Sequence, residues 1–286
     1  MNFRRIEWIF LIAFVVLDIF LGFMFVQTSS GTTTKSSSDT ATTVISEMRA
    51  DNISFKNPGT KEGTGYYIAG NNESGLKQRL SQLTEQTARV QSNGKLTSTL
   101  RTARALDSDS IKSELVAFMQ QANNVIHGDE YVYDAALSSN GDYVFVQKVA
   151  DGEILTGTGQ VHLIVNKNNQ LTSYTQSYVN NVKTLREKAV TISEKKALVA
   201  LYQYNQVSNN SRIVWGRLGY SRLLKLKDSS VYVPTWIFAV RSKNSTNVSL
   251  HRINAFTGAS MKSSTTNSTE NETATIENAV GVIVTE

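Results

Sequence analysis

An α+β fold behind one N-terminal transmembrane helix is what this 286-residue sequence predicts. Three observations carry that reading. Residues 6–26 form an apolar run of bilayer length. Further on, stretches of helical periodicity alternate with short β-rich runs set off by Asn, Asp and Gly turns. Hydrophobic residues make up 40% of the chain and aromatics 9%, which is enough for a packed core.

The apolar run follows Arg4 and Arg5 and is broken only by Glu7 near its start and Asp18 in its middle. As a helix rising 1.5 Å per residue it covers about 31 Å, against a hydrocarbon core of roughly 30 Å. Lys and Arg stay on the cytoplasmic side of a span, so Arg4 and Arg5 place the N-terminus inside and the remainder outside. The expected location is therefore the cell membrane, crossed once. A cleaved secretory signal would have a shorter apolar region and a small-residue exit; here Phe23-Met24-Phe25-Val26 is bulky, so the span is expected to be retained. Asp18 falls roughly 18 Å from the inner boundary and about 12 Å from the outer one. An acid at that depth costs about 2.5–3.5 kcal/mol unless it meets a polar partner. Asp18 is thus the candidate contact for a transmembrane helix of another protein; a neutral Asp tolerated in a strongly apolar span is the bland alternative.

Residues 28–44 are nearly all Ser, Thr, Gly and Lys, predicting a flexible linker after the anchor at 1–27. A first extracytoplasmic unit is expected over 45–180. It begins with a possible strand at 66–68 and a helix from 74 to 90, followed by a helix near 109–125 on Ile111, Leu115, Phe118, Met119 and Ala122. Strands are predicted at 130–137 and 143–149 around an Asn140-Gly141 turn, then at 161–165 and 171–179. A second unit, 181–261, opens on the capping box Thr191-Ile192-Ser193-Glu194 and a helix to about 206, then strands at 211–227, 231–240 and 248–256. Pro234 demotes its run to an edge, a bulge or a strand start. Strands joined by short turns pair antiparallel, with a helix packed on each sheet. Residues 262–286 read as a disordered tail.

The composition excludes several chemistries. No cysteine is present, so no disulfide framework and no cysteine metal site exists. His127, His162 and His251 lie in separate segments without ligand spacing, so no metal is expected and structural histidines are favoured. No nucleophile elbow, phosphate loop or dinucleotide fingerprint occurs, and Gly157-Thr158-Gly159 is a turn, so no cofactor is expected. Carboxylates at Asp129-Glu130, Asp142 and Asp151-Gly152-Glu153 offer an acid/base pair only in principle. The formal charge of +5 is mild and lacks a basic run, so no nucleic-acid partner is predicted. Arg222, Lys225 and Lys227, set among Leu223, Leu224 and Leu226, read as a solvated strand face in preference to a polyanion site.

Two segments carry a resemblance. Arg4-Arg5-Ile6-Glu7, Ile9-Phe10-Leu11 and Leu17-Asp18-Ile19-Phe20-Leu21 resemble the start of the YycH/YycI family, specifically its YycI (WalI) branch. Arg252-Ile253-Asn254-Ala255-Phe256-Thr257-Gly258 resembles that family's closing strand and turn, shared with PepSY-like domains. The resemblance implies a non-enzymatic regulator of the WalR/WalK two-component system of low-GC Gram-positive bacteria. Its implied partners are the sensor histidine kinase WalK and a YycH-like protein, and its implied output is cell-wall metabolism. The competing expectation is an extracytoplasmic binding module for an anionic wall polymer or peptide, with the span as a mere tether.

Overall fold

The computed structural model describes residues 36–149, 151–243, 245 and 248–261, with Trp8, Leu11, residues 13–18, Phe20 and Leu21 of the N-terminal run. In chain order the elements are α1 (Ser36–Ala50), β1 (Gly63–Gly65), β2 (Ile68–Asn71), a 3-10 helix at Lys77–Gln82, β3 (Gln86–Val90), β4 (Leu96–Ala105) and α2 (Ile111–Met119). Then come β5 (Tyr131–Tyr133), β6 (Asp142–Val149), β7 (Gly152–Glu153), β8 (Gln160–Val165), β9 (Gln170–Gln176), β10 (Asn180–Thr184) and β11 (Ala189–Thr191). The chain closes with α3 (Glu194–Gln203), β12 (Ser211–Lys225), β13 (Ser229–Ser242) and β14 (Val248–Asn254). Residues 1–46 and 47–286 are separate compact units, and every strand belongs to the second.

The architecture is α+β with antiparallel ladders between its strands. A seven-stranded sheet runs β3-β4-β9-β8-β6-β5 with β7 on β6, and a five-stranded sheet runs β10-β2-β13-β12 with β14 on β13. α2 covers the first through Leu115, Phe118 and Met119, which join Leu96, Leu163, Leu171 and Tyr174 in one buried cluster. α3 buries Ala197, Leu198, Val199 and Leu201. The sheets meet through Val144, Val146 and Leu155 packed with Ile237, and are hydrogen-bonded where Leu155 N donates to Tyr220 O at 3.1 Å. β2, from the earlier part of the chain, pairs with β10 and β13 in the sheet built mainly from 211–254.

Several sequence expectations are corrected. The helix expected at 74–90 is a short 3-10 turn followed by strand β3. Its first residue, Gln86, is buried and donates to the Asn123 and Asn124 carbonyls at 3.1 and 3.0 Å while its own oxygen accepts from Ser98; pairing with β4 overrides local propensity. The strand expected over 130–137 stops at Tyr133, since Asp134 Oδ1 accepts the Ala136 and Leu137 N–H groups at 2.9 and 3.0 Å and turns the chain. The helix expected to run to 125 ends at Met119. The capping box at Thr191 does not form: Ser193 is the N-cap, accepting from Lys196 N at 3.3 Å, and Glu194 reaches instead to Gly59 N at 2.8 Å.

Pro234 sits inside β13, not at its start, with β12 on one side and β2 and β14 on the other. Its carbonyl accepts from Ala255 N at 2.9 Å, so the side that lacks an N–H faces the gap between the last β2 pair, Tyr232, and the first β14 pair, Thr235. Of the segment expected to be a linker, residues from Ser36 onward are helical as α1. Among the described residues no helix is long and apolar enough to cross a membrane; residues 6, 7, 9, 10, 12, 19 and 22–26 of the expected span lie outside them. The tail at 262–286 also lies outside the described residues.

Candidate functional site

The crossing from β9 to β10 builds a concave surface between the two sheets. Gln147 follows Val144-Phe145-Val146 in β6, just before exposed Lys148, and it is buried. Its Nε2 donates to Val179 O at 2.9 Å and its Oε1 accepts from Val179 N at 2.8 Å, a side chain imitating a strand ladder. That clamp holds the crossing chain against β6 and leaves a groove of about 640 Å³ lined by Glu130, Lys148, Tyr178, Asn181, Lys183 and Thr184.

One end of the groove is a three-residue cluster. The Tyr178 ring stacks on His127 with centroids 4.4 Å apart and planes 3° apart. The Tyr178 hydroxyl donates to Glu130 Oε2 at 2.8 Å, and His127 Nδ1 lies 3.0 Å from Glu130 Oε1. His127 takes a left-handed backbone, φ 54°, which turns its ring back over Tyr178. Burial first, and then the neighbouring Glu130 carboxylate, push the Tyr178 phenol above its ordinary range. The phenol is therefore protonated at neutral pH and donates its hydrogen bond to Glu130.

Three of the remaining titratable candidates, Asp142, Asp151 and His251, are engaged elsewhere. Asp142 contacts His162 Nδ1 at 3.1 Å, and Asp151 pairs with Lys188 at 2.6 Å, a bond that raises the Lys188 ammonium. His251 touches Ser249 Oγ at 2.9 Å and Gln206 Oε1 at 3.1 Å. Among the described residues no three His, Asp or Glu are grouped to hold a metal ion. Asp18 is helical and exposed beside exposed Leu17, Phe20 and Leu21, while Arg4 and Arg5 lie outside the described residues. Sequence reasoning missed Gln147, Tyr178 and the buried Asp134; no local spacing in the sequence singles them out.

The segment 252–258 forms the end of β14 and a tight turn. Asn254 Oδ1 accepts from Phe256 N at 2.9 Å, Gly258 takes φ +73°, and Phe256 stacks on Tyr67 at 4.7 Å. With this strand and turn in place, the family match is decisive: the YycI protein family matches residues 32–256. The chain belongs to the YycI family. Membership implies a regulatory role in the WalK pathway, in a family of regulators and not of known enzymes. No curated protein matches the sequence. An uncharacterised protein from Eubacterium rectale ATCC 33656 is similar at 10% identity and TM-score 0.35, over 73% of this chain and 89% of that one. The Bacillus megaterium YpeB C-terminal domain is similar at 13% identity and TM-score 0.37, over 78% of this chain and 95% of that one.

Proposed function

We propose that the chain is a non-enzymatic, single-pass membrane regulator of a WalK-like sensor histidine kinase controlling cell-wall metabolism, with a YycH-like protein as companion. Its N-terminus is cytoplasmic and its folded units extracytoplasmic. The family match over 32–256 carries the regulatory reading, and Asp18 within an apolar run supports contact through the membrane. A span alters a kinase only by binding one of its conformations better than another. About 1.4 kcal/mol of difference gives a tenfold shift. One intramembrane hydrogen bond, worth about 0.6–2 kcal/mol, together with an extracytoplasmic contact reaches that figure.

The test is Asp18→Leu in intact membranes. Co-purification of the kinase and the YycH-like protein is expected to drop, with altered kinase output; unchanged recovery and unchanged signalling would eliminate the membrane contact. One feature supports a second reading as an anionic-ligand module: Lys148 and Lys183 line the groove between the sheets. Binding of soluble teichoic-acid polymer that is lost in Lys148→Glu/Lys183→Glu, with kinase recovery intact, would favour that module.

A further inference from the structure

We propose that the tip of the β12–β13 hairpin is a membrane-docking element, which seats its leucines in the headgroup region of an anionic bilayer. Along the body of this hairpin the apolar side chains Ile213, Tyr220, Val233, Ile237 and Phe238 are buried. At the tip the pattern inverts: Leu223, Leu224 and Leu226 are 46%, 52% and 49% exposed. Leucine at three of four successive tip positions is costly in water, and scattered surface leucines do not cluster in this way.

The tip is also rigid. Leu226 N donates to Ser229 O at 2.8 Å to close the turn. Asn72, just past β2, donates from Nδ2 to the Leu226 and Lys227 carbonyls at 2.6 and 3.0 Å, accepts from Ser230 Oγ at 2.6 Å, and bonds the Asp228 carbonyl through its backbone N–H at 3.0 Å. These bonds satisfy the Leu226, Lys227, Asp228 and Ser229 carbonyls internally, so these groups can approach an apolar phase without forfeiting partners. A bulge between the Arg222–Tyr232 and Leu224–Val231 pairs inserts Leu223 as an extra residue, and such an insertion re-aims side chains at the end of a strand.

Charge selects the partner. Arg222, Lys225 and Lys227 alternate with the leucines against the single acid Asp228, and among the described residues none of the three cations is in an ion pair. A polyanion in solution would use the cations and leave the leucines wet. A protein hot spot favours aromatic anchors in a pocket and is poor in Lys. A convex tip of leucines with cationic stems that reach back to the phosphates fits the bilayer interface, where anionic lipid attracts Lys and Arg. This rests on the anchored reading given above. The reach is sufficient: Asn210 N bonds Asp51 O at 2.9 Å, so β12 starts beside the chain just after α1. The tip lies about 45 Å from there at roughly 3.3 Å per strand residue. Residues 27–35 extend at most about 30 Å and α1 adds about 22 Å.

The absence of native cysteine permits a direct experiment on the full chain. Single-cysteine variants Asp228→Cys at the tip, Leu17→Cys in the anchor and Thr102→Cys on an exposed strand are labelled with a polarity-sensitive dye. Each is reconstituted into vesicles of phosphatidylcholine alone or mixed equally with phosphatidylglycerol, both carrying spin-labelled lipid as quencher. The tip label is expected to shift blue and to be quenched at least about twofold more in the anionic vesicles. Reversing Arg222, Lys225 and Lys227 to Glu should erase that difference, and replacing the three leucines with Ser should abolish quenching. Tip quenching no greater than at Thr102→Cys overturns the proposal, as does a blue shift seen only in native membranes, which would identify a protein as the occupant. A quenched Leu17→Cys beside an unquenched tip removes the docking element and leaves the anchor standing; a quenched tip beside an unquenched Leu17→Cys removes the anchor and keeps the docking element.

Discussion

At the scale of single residues, the buried carboxylate of Asp134 carries more energy than the surface ion pairs. Its side chain is 1% exposed, and Arg217 Nη1 donates to Oδ2 at 2.6 Å from the facing strand β12. Removing the cation strands a charge in the interior with only the Ala136 and Leu137 amides as donors. Arg217→Met is therefore expected to cost about 3 kcal/mol in chemical denaturation. Lys196→Met, which breaks the solvated pair with Glu62, should change stability by less than about 1 kcal/mol. His251 gives a pH effect of opposite origin. Burial lowers its imidazole below the ordinary value of 6.5, so the unfolded chain takes the proton first as pH falls. Its contribution is complete above about pH 6.5, declines as pH drops through that value and levels off below the folded pKa. Urea midpoints at about pH 7.5 and 5.5 should therefore differ less in His251→Gln than in the parent chain. An equal difference in both would remove His251 as the cause.

At the scale of elements, close approach of backbone decides what the strands tolerate. A methyl on Gly219 would sit 2.5 Å from Leu155 Cδ1 and 3.0 Å from the Glu153 carbonyl, beside the bond from Leu155 N, just after β7, to Tyr220 O of β12. Gly219→Val is expected to destabilise by about 1–3 kcal/mol through overpacking, read as a lower denaturation midpoint with an unchanged slope. The strands and helices most legible in the sequence are those whose period and turn residues agree, such as β6 after Asn140-Gly141 and α3 with its apolar face. What escaped were elements fixed by distant partners. β3 is a strand because β4 pairs with it, and α1 is helical despite its Ser and Thr, with Met48 fully buried on one side. Pro234 misled because its cost depends on which neighbour lies opposite the missing N–H, and only the register of β2 and β14 reveals that gap.

At the scale of the whole molecule, the groove was not legible in the sequence. It exists because Gln147 clamps a chain crossing between sheets, a contact over 32 residues that no local spacing announces. The same division governs function. If the span is a tether, its chemistry is interchangeable; if it contacts a kinase helix, Asp18 and its flanking side chains are the message. On the proposed topology, exchanging residues 6–26 for a poly-Leu span of equal length is expected to preserve insertion and orientation, since Arg4 and Arg5 stay in place. The exchange removes the carboxyl proposed to lie in the middle of the span, Asp18. The partner-helix reading expects kinase recovery to fall with the folded units unchanged, and restoring a single Asp at position 18 of the poly-Leu span to recover part of it. Recovery that is independent of that Asp would assign the contact to the extracytoplasmic surfaces, where the groove and its two lysines become the place to mutate next.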